Sequence, residues 1–325
     1  MDNFEIKFDD KNVQCRQGCN LLKCILDNGF YVPSLCNNEK CNKENACMVC
    51  AVFDKDTNQF VPSCSITVNR NFDIEVNTER VRNFRKSIIE LLLSEHSGDC
   101  YAPCQRACPY DFNIPVFLEK INAEKFEEAS NMTLEKGMDC EKCGYRCEKA
   151  CRKKILDKSV GISQLIKRYK INNFEKKIFD KKSVKDGYSH KFGKVDAEIL
   201  NNLKKTGSDI NGCLQCHCKG VKKCKLKKIS SEYNAEQYAY QPANKTRFER
   251  YCFENISFEP GKCVRCGICV SLLENKNLKE SLSFQFRGRK TIPHAPIGVS
   301  WNDCLKYIDR EIAANCPTGA LCFYE

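Results

Sequence analysis

The chain opens on alternating apolar and polar positions. Phe4 to Phe8 alternates as a strand, Asp9-Asp10-Lys11 turns it, and Val13 onward continues it as a second strand. Cys19 to Asn28 has helical spacing and stops at Gly29. A long polar loop follows, then Met48–Phe53 and Phe60–Val68 as a hairpin around Asp54-Lys55-Asp56, with a last strand near Phe72–Val76. Residues 78–96 predict an amphipathic helix: Asn77 and Thr78 offer an N-cap, and Val81, Phe84, Ile88, Leu91 and Leu92 share one face.

Beyond Gly98 the period changes. Short helices are predicted at 116–122, 124–136, 145–154 and 160–170, punctuated by Pro103, Pro109, Pro115 and Gly137, with no strand pattern. Residues 171–212 are rich in Lys, Asp and Asn and read as a linker with one helix at Val195–Leu203. A cysteine-dense knot follows at 213–224, and then a small separate domain. The expected fold class is α+β multidomain, divided as 1–78, 79–170, 171–230 and 231–325.

Composition changes what this pattern means. Cysteine fills 26 of 325 positions, a density that signals either a disulfide scaffold or metal ligation. The acidic start, MDNFEIKFDD, has no apolar h-region, and no stretch approaches the roughly 18 uncharged apolar residues of a membrane span. A reducing cytoplasm and metal-bound thiols are therefore expected. The formal charge of +11 counts every thiol as neutral. An all-thiolate two- or four-iron cluster carries roughly −2 when oxidised, and five such centres, one with a neutral histidine ligand, would bring about −9. The Lys/Arg excess then reads as internal compensation.

Four constellations carry the chemistry. The first is Cys36-x10-Cys47-x2-Cys50-x13-Cys64. A flat two-iron cluster takes two thiolates on each iron, so one long loop offers three ligands and a hairpin returns the fourth. Cys41 competes with Cys36, because Cys41-x5-Cys47-x2-Cys50 approximates a shorter ferredoxin spacing; Cys36 is preferred. Spacing and strand context together resemble the [2Fe–2S] ferredoxin domain of the large iron–sulfur subunit of respiratory complex I, and of NAD-linked hydrogenases and formate dehydrogenases. That resemblance implies a β-grasp fold for residues 1–78. Cys15, Cys19 and Cys24 are expected to be buried small hydrophobes.

The second is His96-x3-Cys100-x3-Cys104-x3-Cys108, followed by Cys140-x2-Cys143-x3-Cys147-x3-Cys151. Gly98, Pro103 and Pro109 argue against one continuous helix, so a loop curling around metal is expected. The runs PCQRACP, IPVFLEKINAEKFEEA, CEKAC and VGISQLIKRY resemble the helical double-[4Fe–4S] domain of the glutamate synthase small subunit and dihydropyrimidine dehydrogenase. The resemblance implies interleaved ligands. His96, Cys100, Cys104 and Cys151 would hold one cluster, and Cys108, Cys143 and Cys147 the other, with Cys140 or Gln164 as its fourth ligand. His96 stands where a Cys is common in that family and is similar instead to the His-x3-Cys ligation of complex I. One neutral ligand would raise that site's potential.

The third is Cys213-x2-Cys216-x-Cys218-x5-Cys224, four sulfurs close enough in sequence for a closed tetrahedral zinc site or a [4Fe–4S] cluster. Iron is preferred because the neighbouring sites call for it, and because the segment resembles one that follows the flavin domain of long iron–sulfur flavoproteins. The fourth is Cys263-x2-Cys266-x2-Cys269 with a distant Cys316-Pro317, half of the bacterial ferredoxin signature. Ser271-Leu272-Leu273 replaces the spacer to a further local Cys, so a small ferredoxin-like domain with one cluster is expected. Cys252, Cys304 and Cys322 have no partners in register and read as structural.

No two glycines stand at i and i+2 and no Walker A run exists, so no flavin or nucleotide motif is present and no residue is assigned a catalytic role. In the flavoproteins that resemble this chain, an FAD/NAD(P)H-binding unit fills the interval where only the linker stands here. The expected protein is a cytoplasmic electron-transfer subunit with one [2Fe–2S] and three to four [4Fe–4S] clusters. Its expected partners are a flavoprotein binding FAD or FMN and NAD(P)H, and a hydrogenase, formate dehydrogenase or glutamate synthase-type catalytic subunit. The alternative is a Cys-rich zinc protein binding nucleic acid. Against it, the ferredoxin spacings are not zinc-finger spacings, and aromatics do not interleave with the Lys run at 219–228.

Overall fold

Alternation at the N-terminus builds a hairpin. In the computed structural model β1 (Asn3–Phe8) pairs antiparallel with β2 (Lys11–Arg16), setting Phe4 opposite Cys15 and Ile6 opposite Val13. With β3 (Ala51–Asp54), β4 (Gln59–Pro62) and β5 (Phe72–Glu75) they form a mixed sheet in the order β2-β1-β5-β3-β4, in which β1 and β5 run parallel. Helix α1 (Leu21–Asp27) covers it, Asn20 capping its first turn by accepting from the Lys23 N–H. Leu21, Leu22 and Ile25 pack on Ile6, Phe8, Val13, Val52 and Ile74. Gly29, at φ +83°, supplies the left-handed residue that ends the helix. The structure describes residues 3–41, 47–96, 100–170, 213–218, 223–241, 249–278 and 280–323; the linker and the helix expected at 195–203 lie outside these.

The chain divides into two units, Met1–Ser97 with Lys219–Glu325, and Gly98–Cys218. The predicted helix over 78–96 is α2 (Glu79–Glu95), capped by Thr78. It belongs to the first unit rather than to the helical segment that follows it in sequence. Its buried Ile89 joins Leu35 and Val49 from the N-terminal domain, and Leu226, Ile229 and Tyr233 of α8 (Lys225–Glu232) and the residue after it. Arg85, fully buried, donates from Nε to the Ala51 carbonyl at 2.7 Å and from Nη1 to the Tyr233 hydroxyl at 3.3 Å.

The first unit also contains the C-terminal segment. Strands β6 (Tyr251–Phe253), β7 (Ile256–Phe258) and β10 (Leu321–Phe323) form a sheet in the order β10-β7-β6, and β8 (Ser283–Gln285) pairs with β9 (Ile292–His294). Helices α9 (Ile268–Asn275), α10 (Trp301–Leu305) and α11 (Arg310–Ala314) close a core of Phe258, Leu273, Cys304, Leu305, Ile312 and Leu321.

The second unit is helical: α3 (Pro103–Ala107), α4 (Ile114–Asn122), α5 (Phe126–Glu135), α6 (Arg146–Lys149) and α7 (Ile162–Lys170). Its core is Phe112, Ile114, Phe117, Leu118, Leu165, Ile166 and Tyr169. The segment 100–108, expected as a loop, holds one short helix, because Pro103 occupies the first helical turn, where its missing N–H costs no bond. Among the described residues no helix is long and apolar enough to cross a membrane.

Replacing Arg85 with Ala should leave the Ala51 carbonyl buried without its donor and open a cavity, at about 3 kcal/mol. An unchanged denaturant midpoint in the full chain would show that Arg85 does not tie these elements together.

Candidate metal centres

The N-terminal thiols converge through local turns. Met48 takes the left-handed region at φ +58°, bending the backbone between Cys47 and Cys50. Cys64 lies in a short helical turn, Ser63–Ser65, after β4. Ser63 Oγ donates to the Cys50 carbonyl at 2.7 Å, and Asn20 Nδ2 to the Cys64 carbonyl at 2.6 Å. The four sulfurs meet as two hydrogen-bonded pairs. A bond from Cys36 pulls the Cys47 thiol down to about 7, and one from Cys64 pulls Cys50 down to about 6. The donors Cys36 and Cys64 are pushed up, by those same bonds and then by burial. The thiolate is the form that ligates metal. Cys41 stands elsewhere, its Sγ 3.8 Å from the Ile268 carbonyl and packed on the C-terminal core.

In the C-terminal domain Cys263, Cys266, Cys269 and Cys316 face one another. Burial first, then the neighbouring thiols, pushes Cys266 and Cys269 up, and burial takes Cys263 to about 12. Backbone donors already aim at sulfur: the Arg265 N–H at Cys263 Sγ, 3.3 Å, and the Leu321 N–H at Cys316 Sγ, 3.4 Å. Gly267 stands at φ +77°, a left-handed conformation that favours glycine. Cys47 of the N-terminal group is itself among the charges that act on Cys266. The loop carrying Cys36 docks on this domain through Asn38 Nδ2 to Asn315 Oδ1 at 2.7 Å, Asn275 Nδ2 to the Lys40 carbonyl at 3.0 Å, and a Lys40–Glu311 ion pair.

The helical unit holds two thiol groups. Cys108, Cys140, Cys143 and Cys147 form one: burial, then Cys143 and Cys108, raises Cys140 to about 11, and Cys147 is pushed up by burial, Glu148, Cys140 and Cys108. Of the two candidates for the fourth position, Cys140 joins these thiols, while Gln164 is half-buried on α7. The other group contains Cys104 and Cys151, as the family pattern implies, but its further members are Cys213 and Cys216. Cys100 is half-buried at the entry to α3. His96 lies at the end of α2 in the first unit, its Nδ1 buried without a hydrogen-bond partner. Burial and the Lys262 charge hold its pKa down to about 4, so the ring is neutral, as a metal-ligating imidazole must be.

Within the expected group Cys213–Cys224, Cys213 and Cys216 line a cavity with Cys104 and Cys151, Cys218 is buried, and the Cys224 side chain caps α8. Cys15 and Cys24 are buried in the N-terminal core, as expected, with Cα atoms 6.1 Å apart, within reach of a disulfide. Cys304 is buried in the C-terminal core, Cys322 is half-buried on β10 and Cys252 is exposed. Among the described residues no three His, Cys, Asp or Glu side chains are drawn in to the spacing of single-ion ligands.

Residues 2–79 match the family described as 2Fe-2S iron-sulfur cluster binding domain, and residues 94–181 match dihydropyrimidine dehydrogenase domain II, 4Fe-4S cluster. The chain therefore carries a segment matching a [2Fe–2S] cluster-binding domain followed by one matching a [4Fe–4S] domain. Over 105 residues it is 33% identical to a subunit of the NADP-reducing hydrogenase of Solidesulfovibrio fructosivorans, covering 31% of this chain and 18% of that one. Over 98 residues it is 28% identical to the gamma subunit of the NAD-reducing hydrogenase of Cupriavidus necator, covering 30% and 41%. Over 92 residues it is 29% identical to the 75 kDa subunit of the NADH-ubiquinone oxidoreductase of Reclinomonas americana, covering 28% and 13%. The aligned stretches span less than half the length of each of these relatives. A crystal structure of an NAD+-reducing [NiFe]-hydrogenase in the H2-reduced state superposes with a TM-score of 0.55 at 14% identity, covering 98% of this chain and 87% of that one, a likeness of fold.

Replacing Cys36 with Ser should abolish the [2Fe–2S] electron paramagnetic resonance signal of the dithionite-reduced protein, and Cys41→Ser should keep it. The reverse result would transfer the ligand to Cys41. In the metal-free chain the His96 pKa lies below its unfolded value of about 6.5, so the unfolded state takes up the extra proton. Stability should fall as pH drops from about 6.5 towards 4, and His96→Phe should flatten that slope; an identical slope in both proteins would mean that His96 is not held neutral.

Proposed function

We propose that this chain is an electron-transfer subunit of a cytoplasmic, flavin-linked oxidoreductase complex. In this reading it relays single electrons between a flavoprotein that binds FAD or FMN and NAD(P)H and a catalytic subunit of hydrogenase type. Residues 1–78 form a β-grasp ferredoxin whose Cys36, Cys47, Cys50 and Cys64 hold a [2Fe–2S] cluster. Cys263, Cys266, Cys269 and Cys316 hold a [4Fe–4S] cluster in a ferredoxin-like C-terminal domain, and Cys108, Cys140, Cys143 and Cys147 hold another in the helical unit. Cys104 and Cys151 belong to a third four-iron site.

The residues present fit these groups. Four thiols come together in each of the three complete sets. Iron–sulfur clusters, when bound, supply one-electron exchange. The chain supplies the thiolates, backbone N–H donors to sulfur that favour its charged form, and apolar cores that keep water away.

The observation that carries this reading is the meeting of two thiol sets within one unit. Cys47 acts on Cys266, and the Cys36 loop is hydrogen-bonded to the C-terminal domain. A single-electron relay needs such neighbouring sites. The hydrogenase relatives support the choice of partner.

Anaerobically prepared full chain should be brown, contain acid-labile sulfide, and accept electrons from NAD(P)H only when an NAD(P)H-oxidising flavoprotein is added. A colourless preparation loaded with zinc would overturn the proposal, as would reduction by NAD(P)H of the chain alone.

A further inference from the structure

The second unit contains a cavity whose walls the family pattern does not account for. Cys104 enters from α3, Cys151 from the turn after α6, and Cys213 and Cys216 from the segment beyond residue 212. The matched 4Fe-4S family ends at residue 181, so the last two thiols lie outside it. Leu118, Val160 and Ile162 supply apolar wall, and Arg152 and Lys153 line the same space.

The local backbone around Cys213 and Cys216 is built for the task. Gln215, the second residue between them, stands in the left-handed region at φ +48°. Arg265 holds the same place between Cys263 and Cys266, at φ +57°. Left-handed backbone at a side-chain-bearing residue is unfavourable and marks a turn that the surroundings enforce. In the C-terminal domain this turn sets the first two thiols of a ferredoxin signature towards one centre. Its recurrence at Cys213-Leu214-Gln215-Cys216 sets these two sulfurs towards the cavity.

We propose that Cys213 and Cys216 complete a [4Fe–4S] site with Cys104 and Cys151, in place of the His96 and Cys100 expected from the sequence. This assignment rests on the iron–sulfur reading above and deepens it. The donor set is four thiols, each from its own position on the cavity wall, which suits one thiolate per iron of a four-iron core. Arg152 and Lys153 offset the net negative charge of a four-thiolate cluster.

The test uses the full chain loaded anaerobically with iron and sulfide. Thiols are alkylated before and after loading and mapped by mass spectrometry. Cys213 and Cys216 should become protected together with Cys104 and Cys151. In parallel, the double variant Cys213→Ser, Cys216→Ser should lose about four iron atoms per chain and keep the [2Fe–2S] resonance, whereas Cys252→Ser should lose none. Cys213 and Cys216 that remain reactive in a loaded chain, beside protected Cys104 and Cys151, would overturn this assignment and leave the broader reading standing. A chain that takes up no iron would overturn both.

Discussion

Thiols buried in groups are poor company until a metal replaces their protons. Cys104, Cys147, Cys266 and Cys269 are each held in the protonated form by burial, and ionising any of them beside the others adds repulsion. Yet the backbone gathers them from segments far apart in sequence. Much of the chain around them is irregular, with short helices and left-handed residues such as Met48, Tyr145 and Arg265. In such a protein, ligation acts as a cross-link among elements whose apolar cores are modest, and its free energy becomes folding free energy.

The same constraint explains where charge and hydrogen bonds are spent. N–H groups from Arg265 and Leu321 point at sulfur. Asn20 and Ser63 hold the backbone beside Cys64 and Cys50. Arg85, a fully buried cation, holds the first unit's helix to its sheet. The surplus of Lys and Arg over Asp and Glu then matches the negative charge that cluster thiolates would bring.

Elements with a local cause could be read from the chain itself. Alternation marked β1 and β2, the Thr78 cap fixed the start of α2, and the Cys36–Cys64 loop announced its chemistry by spacing. What depended on remote partners could not be read. Helix α2 follows the N-terminal domain and precedes the helical unit in sequence, and only the burial of Ile89 against Leu226 and Ile229 decides its side. Pro103 looks like a breaker until the backbone beyond it is seen to start a helix. Spacing along the chain groups Cys213 and Cys216 with Cys218 and Cys224. It carries no trace of Cys104 and Cys151, which stand far upstream. Cys15 and Cys24 were placed correctly in the core, but alternation on a strand and turns on a helix do not reveal that two such positions coincide.

The docking of residues 38–40 onto the C-terminal domain has a thermodynamic corollary. Whatever orders that domain also orders the strap that carries Cys36, and linkage makes the effect mutual: occupancy at either end raises affinity at the other. With clusters at both sets, maturation of the first unit would tend towards an all-or-none event, and oxidative injury to one centre would undermine its neighbour.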